Sequence, residues 1–283
     1  MSRPHTFTPP PCAHARQLRT PRGDFAVLDA SPSGAVRGTA LLLPGYMGSK
    51  EDFVALLEPL AAAGYRTVAV DGRGQYETPA GTDRPEEYAQ GELALDVLAQ
   101  ATALGSDGAG TVHLLGHSLG GLIARAAVLL DAAPFRSLTL MSSGPAAVVE
   151  DQRRKTKVLG DALATMSMAR VWQAMRALDP PEDTVSGGEA LRRRWLLNRP
   201  AQLIATGRQL ATEPDRVAEL AALDLPVHVL SGESDDTWPV PVLDEMAVRL
   251  GAHRTRITGA GHSPNTDRPA PTAAALAAFW DGR

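Results

Sequence analysis

The sequence has little cysteine and no long apolar run, and each shortage excludes a class of protein. With Cys12 as its single cysteine, the 283-residue chain can form neither an internal disulfide nor a cysteine-based metal cluster. No uninterrupted apolar stretch approaches the ~20 residues of a membrane-spanning helix. The first residues also lack the apolar segment of a secretory signal. We therefore expect a cytoplasmic protein that has no membrane span.

A basic charge excess and the common cofactor motifs are lacking as well. The formal net charge is −4, so nothing in the charge balance favours nucleic-acid binding. The chain contains no G-x-x-x-x-G-K-[ST] phosphate loop, no G-x-G-x-x-G opening a helix and no H-E-x-x-H zinc motif. We expect neither nucleic acid as a partner nor a metal or organic cofactor, and the sequence leaves the oligomeric state open.

What the sequence does contain is an alternation of short apolar runs with helical patterns. The composition, 44% hydrophobic and 21% charged, suits one large α/β domain at this length. Alternating strands and helices favour a mostly parallel sheet flanked by helices, in which ligands bind at the carboxyl ends of the strands. The predicted strands are Phe25–Ala30, Arg37–Leu43, Arg66–Val70, Thr111–Leu115, Ser137–Met141, Pro226–Ser231 and Arg254–Thr258.

Residues 146–221 interrupt that alternation, because they contain no convincing strand. Val158–Ala177 and Ala190–Leu210 have helical patterns instead, which predicts a helical insertion over the edge of the sheet. The predicted parts are therefore a flexible N-terminal arm over 1–14, a core over 15–145 and 222–283, and the helical insertion over 146–221.

Two basic runs lie in the insertion, Arg153–Lys155 and Arg192–Arg194. A run of like charges most often marks a solvated helix face. A docking patch for an anionic substrate or carrier is the alternative, and the sequence leaves both interpretations open.

Residues Gly116–Gly121 spell Gly-His-Ser-Leu-Gly-Gly between a predicted strand and a predicted helix. A strand, G-x-S-x-G and a helix together predict a nucleophile elbow, a sharp turn that projects the serine hydroxyl. The glycines leave room for the tight backbone, and the N-terminus of the following helix directs free N–H groups at the site. Ser118 is therefore the candidate nucleophile, with a glycine-rich turn carrying an incidental serine as the alternative.

A serine hydroxyl needs a neighbouring base and a group that orients the base. His262 follows the last predicted strand and is the one histidine with both the right chain order and the right location. The acid follows the preceding strand, where Asp235 and Asp236 are adjacent and leave the assignment ambiguous by one residue. Among the other histidines, His117 is expected to line or support the site because it neighbours Ser118.

The expected oxyanion-hole donors are backbone N–H groups. Leu119, the residue after the nucleophile, supplies one, and the loop Leu43–Gly48 after an early strand supplies the other. Tyr46 is our choice within that loop, with Met47 as the neighbour that could take its place.

Five segments make the chain resemble the α/β-hydrolase superfamily over residues 15–283. They are Pro44–Gly48, Asp71–Gly74, Gly116–Gly121, Gly232–Asp235 and Gly261–Pro264. The resemblance implies the α/β-hydrolase fold, a cap after the sixth strand that matches residues 146–221, and an acid three residues after a glycine, which favours Asp235. Pro44 stands where the family usually has histidine, a change that the backbone donor should survive. Ser118 argues against the epoxide hydrolases and dehalogenases, which use an aspartate nucleophile.

These assignments predict a serine hydrolase of carboxylesterase type that cleaves a small-molecule carboxylic ester or thioester. Ser118, His262 and Asp235 would form the catalytic triad and an acyl-enzyme, with Tyr46 and Leu119 as the oxyanion hole. Two alternatives stay open, a non-catalytic small-molecule binding protein on the same fold and a cofactor-free haloperoxidase-like perhydrolase.

Overall fold

One eight-stranded sheet forms the centre of the computed structural model, which describes residues 2–78, 82–178 and 188–282. The strands are β1 (Ala13–Thr20), β2 (Gly23–Ala30), β3 (Gly38–Leu43), β4 (Tyr65–Val70), β5 (Val112–His117), β6 (Phe135–Met141), β7 (Val227–Gly232) and β8 (His253–Ile257). Their order is β1-β2-β4-β3-β5-β6-β7-β8. β2 runs antiparallel to both of its neighbours, and the other adjacent pairs are parallel. The predicted fold class, a mostly parallel sheet flanked by helices, is confirmed.

Helices cover both faces of the sheet, and a further group lies between β6 and β7. The covering helices are α1 (Val54–Ala62), α2 (Gln90–Leu104), α3 (Leu119–Leu130), α9 (Val240–Leu250) and α11 (Pro269–Asp281). The group between β6 and β7 comprises α4 (Glu150–Thr165), α5 (Met168–Leu178), α6 (Gly188–Leu197), α7 (Pro200–Thr212) and α8 (Val217–Ala221). Shorter helical turns are Lys50–Phe53, Pro85–Tyr88, Gly105–Ala109 and α10 (Pro264–Asp267). Within the described ranges, no helix is both long and apolar enough to cross a bilayer.

Alternation along the strands sorts the apolar side chains onto the two faces of the sheet. In β5, Leu114 belongs to the apolar cluster that includes α2, α3 and α9, whereas Leu115 belongs to the cluster that includes α1 and α11. Leu41 and Leu42 of β3 divide in the same way. Because both faces of the sheet are covered, the central strands are mostly apolar, which is why the sequence predicted them.

The strand β1, at an edge of the sheet, is not among the predicted strands. Leu18 is its one buried side chain, and its neighbours Gln17 and Arg19 are exposed, so the strand has no apolar run to reveal it. β1 begins at Ala13, inside the segment predicted as an arm. The flexibility predicted for residues 1–14 stays a prediction.

The helices between β6 and β7 have a small apolar core of their own. Its buried members are Leu163, Val171, Trp172, Leu191, Trp195 and Leu203. Phe7 from the N-terminal arm packs against this core, as do Tyr46 and Met47 from the loop after β3. The first long helix predicted here is divided near Ser167, and the second is divided before Pro200, since proline favours the first turn of a new helix.

Arg194 of α6 attaches this helical layer to the Lys50–Phe53 turn that follows β3. Its Nη1 lies 2.6 Å from Asp52 Oδ1, and both side chains are fully buried. The other two arginines of the run, Arg192 and Arg193, are exposed and pair with carboxylates of their own. Neither a solvated face nor a docking patch therefore describes Arg194, which belongs to the interior.

Replacing Arg194 with methionine is expected to lower the free energy of unfolding by about 3–5 kcal/mol, because Asp52 would stay buried without its counter-charge. Urea denaturation followed by circular dichroism measures the change. The matched control is Arg193→Met, which breaks an exposed pair worth under ~1 kcal/mol. Equal losses in the two variants would contradict the stabilising role of the buried pair.

Candidate active site

The serine of the Gly-His-Ser-Leu-Gly-Gly segment lies on the sharp turn between β5 and α3. Ser118 has a φ angle of 54°, in a region that residues other than glycine rarely adopt. Its N–H donates to Met141 O at 2.9 Å, and its carbonyl accepts from the Gly121 N–H at 2.9 Å. These two hydrogen bonds hold the strained conformation from both sides of the turn.

Backbone crowding explains the glycines of this turn. A Cβ at Gly116 would fall 2.2 Å from Gly120 O, and a Cβ at Gly120 would fall 2.5 Å from Leu43 O. No side chain fits between backbone atoms that approach so closely. The same packing brings the loop after β3 against the serine, since a Cβ at Gly45 would lie 3.2 Å from Ser118 Cβ.

His262 reaches this serine from the loop between β8 and α10. Its Nε2 lies 3.0 Å from Ser118 Oγ, and its Nδ1 lies 2.9 Å from each carboxylate oxygen of Asp235. A carboxylate can only accept a hydrogen bond, so Nδ1 carries the proton and Nε2 presents its lone pair to the hydroxyl. The structure therefore joins three predicted residues in one hydrogen-bonded chain.

The geometry places Asp235, and not Asp236, beside the histidine. The Asp235 side chain is fully buried, and its Oδ1 also accepts from the backbone N–H groups of Thr237 at 2.8 Å and Trp238 at 3.1 Å. Burial acts to raise the pKa of Asp235, but the hydrogen bonds from His262 and from the backbone outweigh it and leave the pKa lowered. The group is thus an anion at neutral pH. Asp236 is exposed and accepts instead from the Gln152 amide at 3.1 Å.

The two predicted oxyanion-hole donors border the same turn. Leu119 is the first residue of α3, so its N–H has no intrahelical acceptor. Tyr46 follows Gly45 in the loop that packs against Ser118, and within the described residues its N–H has no backbone acceptor. The Tyr46 hydroxyl donates to Leu203 O at 3.0 Å, and burial raises the pKa of this phenol, which keeps it neutral. The choice of Tyr46 over Met47 stays a prediction.

His117 supports the histidine loop, as its position beside the serine predicts. Its Nε2 lies 2.9 Å from the carbonyl oxygen of His262, so Nε2 carries the proton. Burial lowers the pKa of His117 to about 3, so the ring is neutral and brings no charge to the neighbouring imidazole. This hydrogen bond fixes the backbone of His262, the candidate base.

Two further residues, Asn265 and Gln75, hold loops of the site in place. The sequence did not predict them, because a single amide residue in a loop belongs to no recognisable motif. Asn265 donates from Nδ2 to Asp52 O at 2.7 Å, which ties the histidine loop to the segment that follows Gly48. Gln75 donates to Gly45 O at 3.3 Å and accepts from Gly72 N at 2.8 Å. The one sequence signal near them was the predicted strand-end loop Asp71–Gly74, which Gln75 follows directly.

A cavity of about 410 Å³ opens above Ser118. It is lined by residues from the loop after β3, from α4 and α7, and from the two loops that carry Asp236 and His262. The lining comprises Ser2, Gly45, Tyr46, Met47, His117, Ser118, Val148, Gln152, Lys155, Thr156, Leu159, Leu210, Asp236, Thr237, His262 and Ser263.

Asp235, Asp236 and His262 have potential metal-ligating atoms within 4.8 Å of one another. The Asp235–His262 hydrogen bonds already use the ring nitrogen and the carboxylate that a metal would need.

Comparisons with known proteins agree with this fold. The family model described as "Alpha/beta hydrolase family" matches residues 40–275. A pimeloyl-[acyl-carrier protein] methyl ester esterase of Aeromonas hydrophila subsp. hydrophila is 30% identical over 228 residues, which cover 75% of this chain and 83% of the relative. A protein of the same name from Edwardsiella ictaluri is 28% identical over 266 residues, which cover 88% of this chain and 96% of the relative.

A solved structure gives the same result at the level of the fold. A thermophilic esterase from Thermogutta terrifontis, with malate bound, superposes with a TM-score of 0.73 at 20% identity. The superposition covers 95% of this chain and 99% of that chain. With the family model spanning well over half of its residues, the chain belongs to the alpha/beta hydrolase family and is a hydrolytic enzyme of that family.

Proposed function

We propose that the protein hydrolyses carboxylic esters through an acyl-enzyme formed on Ser118. The observation that carries the proposal is the hydrogen-bonded chain from Ser118 Oγ to His262 at 3.0 Å and from His262 to Asp235 at 2.9 Å, beneath a cavity. Nucleophilic acyl transfer requires a serine, an imidazole with its proton on Nδ1 and a buried carboxylate. The esterase names of the relatives support an ester substrate over a thioester.

In this proposal each group has one step. Ser118 Oγ attacks the ester carbonyl while His262 Nε2 accepts the hydroxyl proton. Asp235 keeps the proton on Nδ1 and stabilises the imidazolium that forms. The N–H groups of Tyr46 and Leu119 bind the oxyanion of the tetrahedral intermediate. His262 then returns the proton to the leaving alcohol, and a water molecule activated by the same nitrogen releases the acid.

We further propose that residues 146–221 form a cap over a core of residues 15–145 and 222–283, with residues 1–14 as the arm. Support comes from the separate apolar core of α4 to α7 and from the position of α4 on the wall of the cavity. A cap in this position would decide which acyl and alcohol groups reach Ser118. A purely ligand-binding role is disfavoured, because a receptor has no need of three groups aligned for proton transfer.

Covalent labelling tests the proposal. Paraoxon should phosphorylate Ser118 with loss of p-nitrophenolate, giving one adduct per chain by intact mass, and the Ser118→Ala variant should remain unlabelled. The matched control is Ser263→Ala, which removes another hydroxyl of the cavity and should label fully. A series of p-nitrophenyl esters and acyl-CoAs of increasing chain length then ranks the substrates. Equal labelling of wild type and Ser118→Ala would overturn the assignment of the nucleophile.

A further inference from the structure

One face of α4 forms a wall of the catalytic cavity. Gln152, Lys155, Thr156 and Leu159 line the cavity from this helix. Their spacing of three, four and seven residues places them on a single side of an α-helix. Lys155 therefore lines the same cavity as the nucleophile.

Two contacts on either side of Lys155 fix its place. One turn earlier, Gln152 Nε2 donates to Asp236 Oδ2 at 3.1 Å, which attaches α4 to the loop of the acid. The next residue, Thr156, packs beside Gly207, where an added Cβ would lie 3.8 Å from Thr156 Cβ and 2.9 Å from Tyr46 Oη. Lys155 thus lies between the acid loop and the tyrosine of the loop after β3, on the wall that shares the cavity with Ser118.

Lys155 differs from the other basic residues of α4 in having no counter-ion. Arg153 pairs with Glu150, Arg154 with Asp151 and Lys157 with Asp161. Within the described ranges, the Lys155 ammonium makes neither an ion pair nor a side-chain hydrogen bond.

The cavity also contains one carboxylate, Asp236, whose oxygens accept from Gln152 at 3.1 Å and from the Thr237 hydroxyl at 3.2 Å. Asp236 forms no ion pair with Lys155 within the described residues, so the lysine cation is left for a ligand. A positive group with no protein partner, facing a binding cavity, favours an anion.

Apolar side chains share the lining of this cavity with Lys155 and Ser118, and they are Met47, Val148, Leu159 and Leu210. We propose that Lys155 is a specificity residue that binds a free carboxylate of the substrate, separated from the scissile ester by a short aliphatic chain. The preferred substrates would be half-esters of dicarboxylic acids, an inference that rests on the ester hydrolase function proposed above.

Half-methyl and dimethyl esters of the same diacid test this preference. Monomethyl and dimethyl succinate, adipate and suberate differ in charge at one end only, and their hydrolysis can be followed by product chromatography. Lys155→Met should lower kcat/KM for the best monomethyl ester about tenfold, mainly through KM, because a charge-assisted contact is lost. The same variant should leave the dimethyl esters nearly unchanged. Lys155→Arg should keep the preference for the anion.

Lys157→Met is the matched control, since Lys157 lies two residues further along α4, pairs with Asp161 and does not line the cavity. Its ratio of monomethyl to dimethyl rates should equal that of wild type. If Lys155→Met leaves the ratio unchanged for all three diacids, or lowers both members of each pair equally, the assignment of Lys155 is overturned. If wild type hydrolyses none of the esters and paraoxon labels no residue, the proposed function fails and the assignment fails with it.

Discussion

Replacing Ser118 with alanine is expected to lower kcat for ester hydrolysis by at least about 10⁴-fold. Alanine removes only the Oγ atom that lies 3.0 Å from His262 Nε2, so no group remains to attack the carbonyl and form the acyl-enzyme. Some rate above that of water should persist, because the cavity and the backbone N–H donors are untouched. Steady-state kinetics with a p-nitrophenyl ester measures the loss.

The fold should survive this substitution. Alanine has the same Cβ as serine, so the strain at a φ of 54° is unchanged and the backbone bonds to Met141 and Gly121 remain. Ser234→Ala is a suitable control, since Ser234 is exposed in the acid loop and the substitution leaves the Ser118–His262–Asp235 hydrogen bonds intact. Ser118→Ala with more than about a hundredth of wild-type kcat would mean that another group attacks the ester.

Asp235→Asn should be nearly as damaging, with a fall in kcat of about 10⁴-fold. The asparagine amide can donate to His262 Nδ1, which would move the ring proton to Nε2. Nε2 could then no longer accept the proton of Ser118, although every heavy atom would stay in place. The substitution also removes the anion that stabilises the imidazolium during attack.

Asp236→Asn provides the contrast, because the two residues are adjacent in the chain but differ in position. The Asp236 side chain bonds Gln152 and Thr237 and does not touch the histidine. We expect its kcat to stay close to that of wild type, because the substitution leaves the Ser118–His262–Asp235 hydrogen bonds intact. Rates for both variants should be measured over a range of pH with the same ester. Loss of activity in Asp236→Asn alone would show that the neighbouring carboxylate orients the base.

Much of the fold was accessible from sequence because its strands are buried on both faces. Runs such as Leu114–Leu115 of β5 and Ala40–Leu43 of β3 are apolar, and the turn after β5 needs glycines that are visible in the sequence. The order of Ser118, Asp235 and His262 along the chain then fixed which loops had to meet. The apolar runs, the glycines and the order of the three residues can all be read from a single sequence.

The remaining features depend on contacts between distant segments. Arg194 belongs to a basic run in the sequence, and only the packing of α6 against Asp52 separates it from its exposed neighbours. The edge strand β1 has too little buried surface to be recognised. Asn265 and Gln75 act through backbone carbonyls, which any donor of suitable length could reach.

The Arg194–Asp52 pair has a consequence for how substrates enter and leave. Any opening of the helical layer at α6 must separate two ions that are fully buried side by side, and it must also break the hydrogen bond from Arg194 to Ser49 Oγ at 3.3 Å. We therefore expect α6 to stay in place while substrates and products exchange along another margin of the cavity.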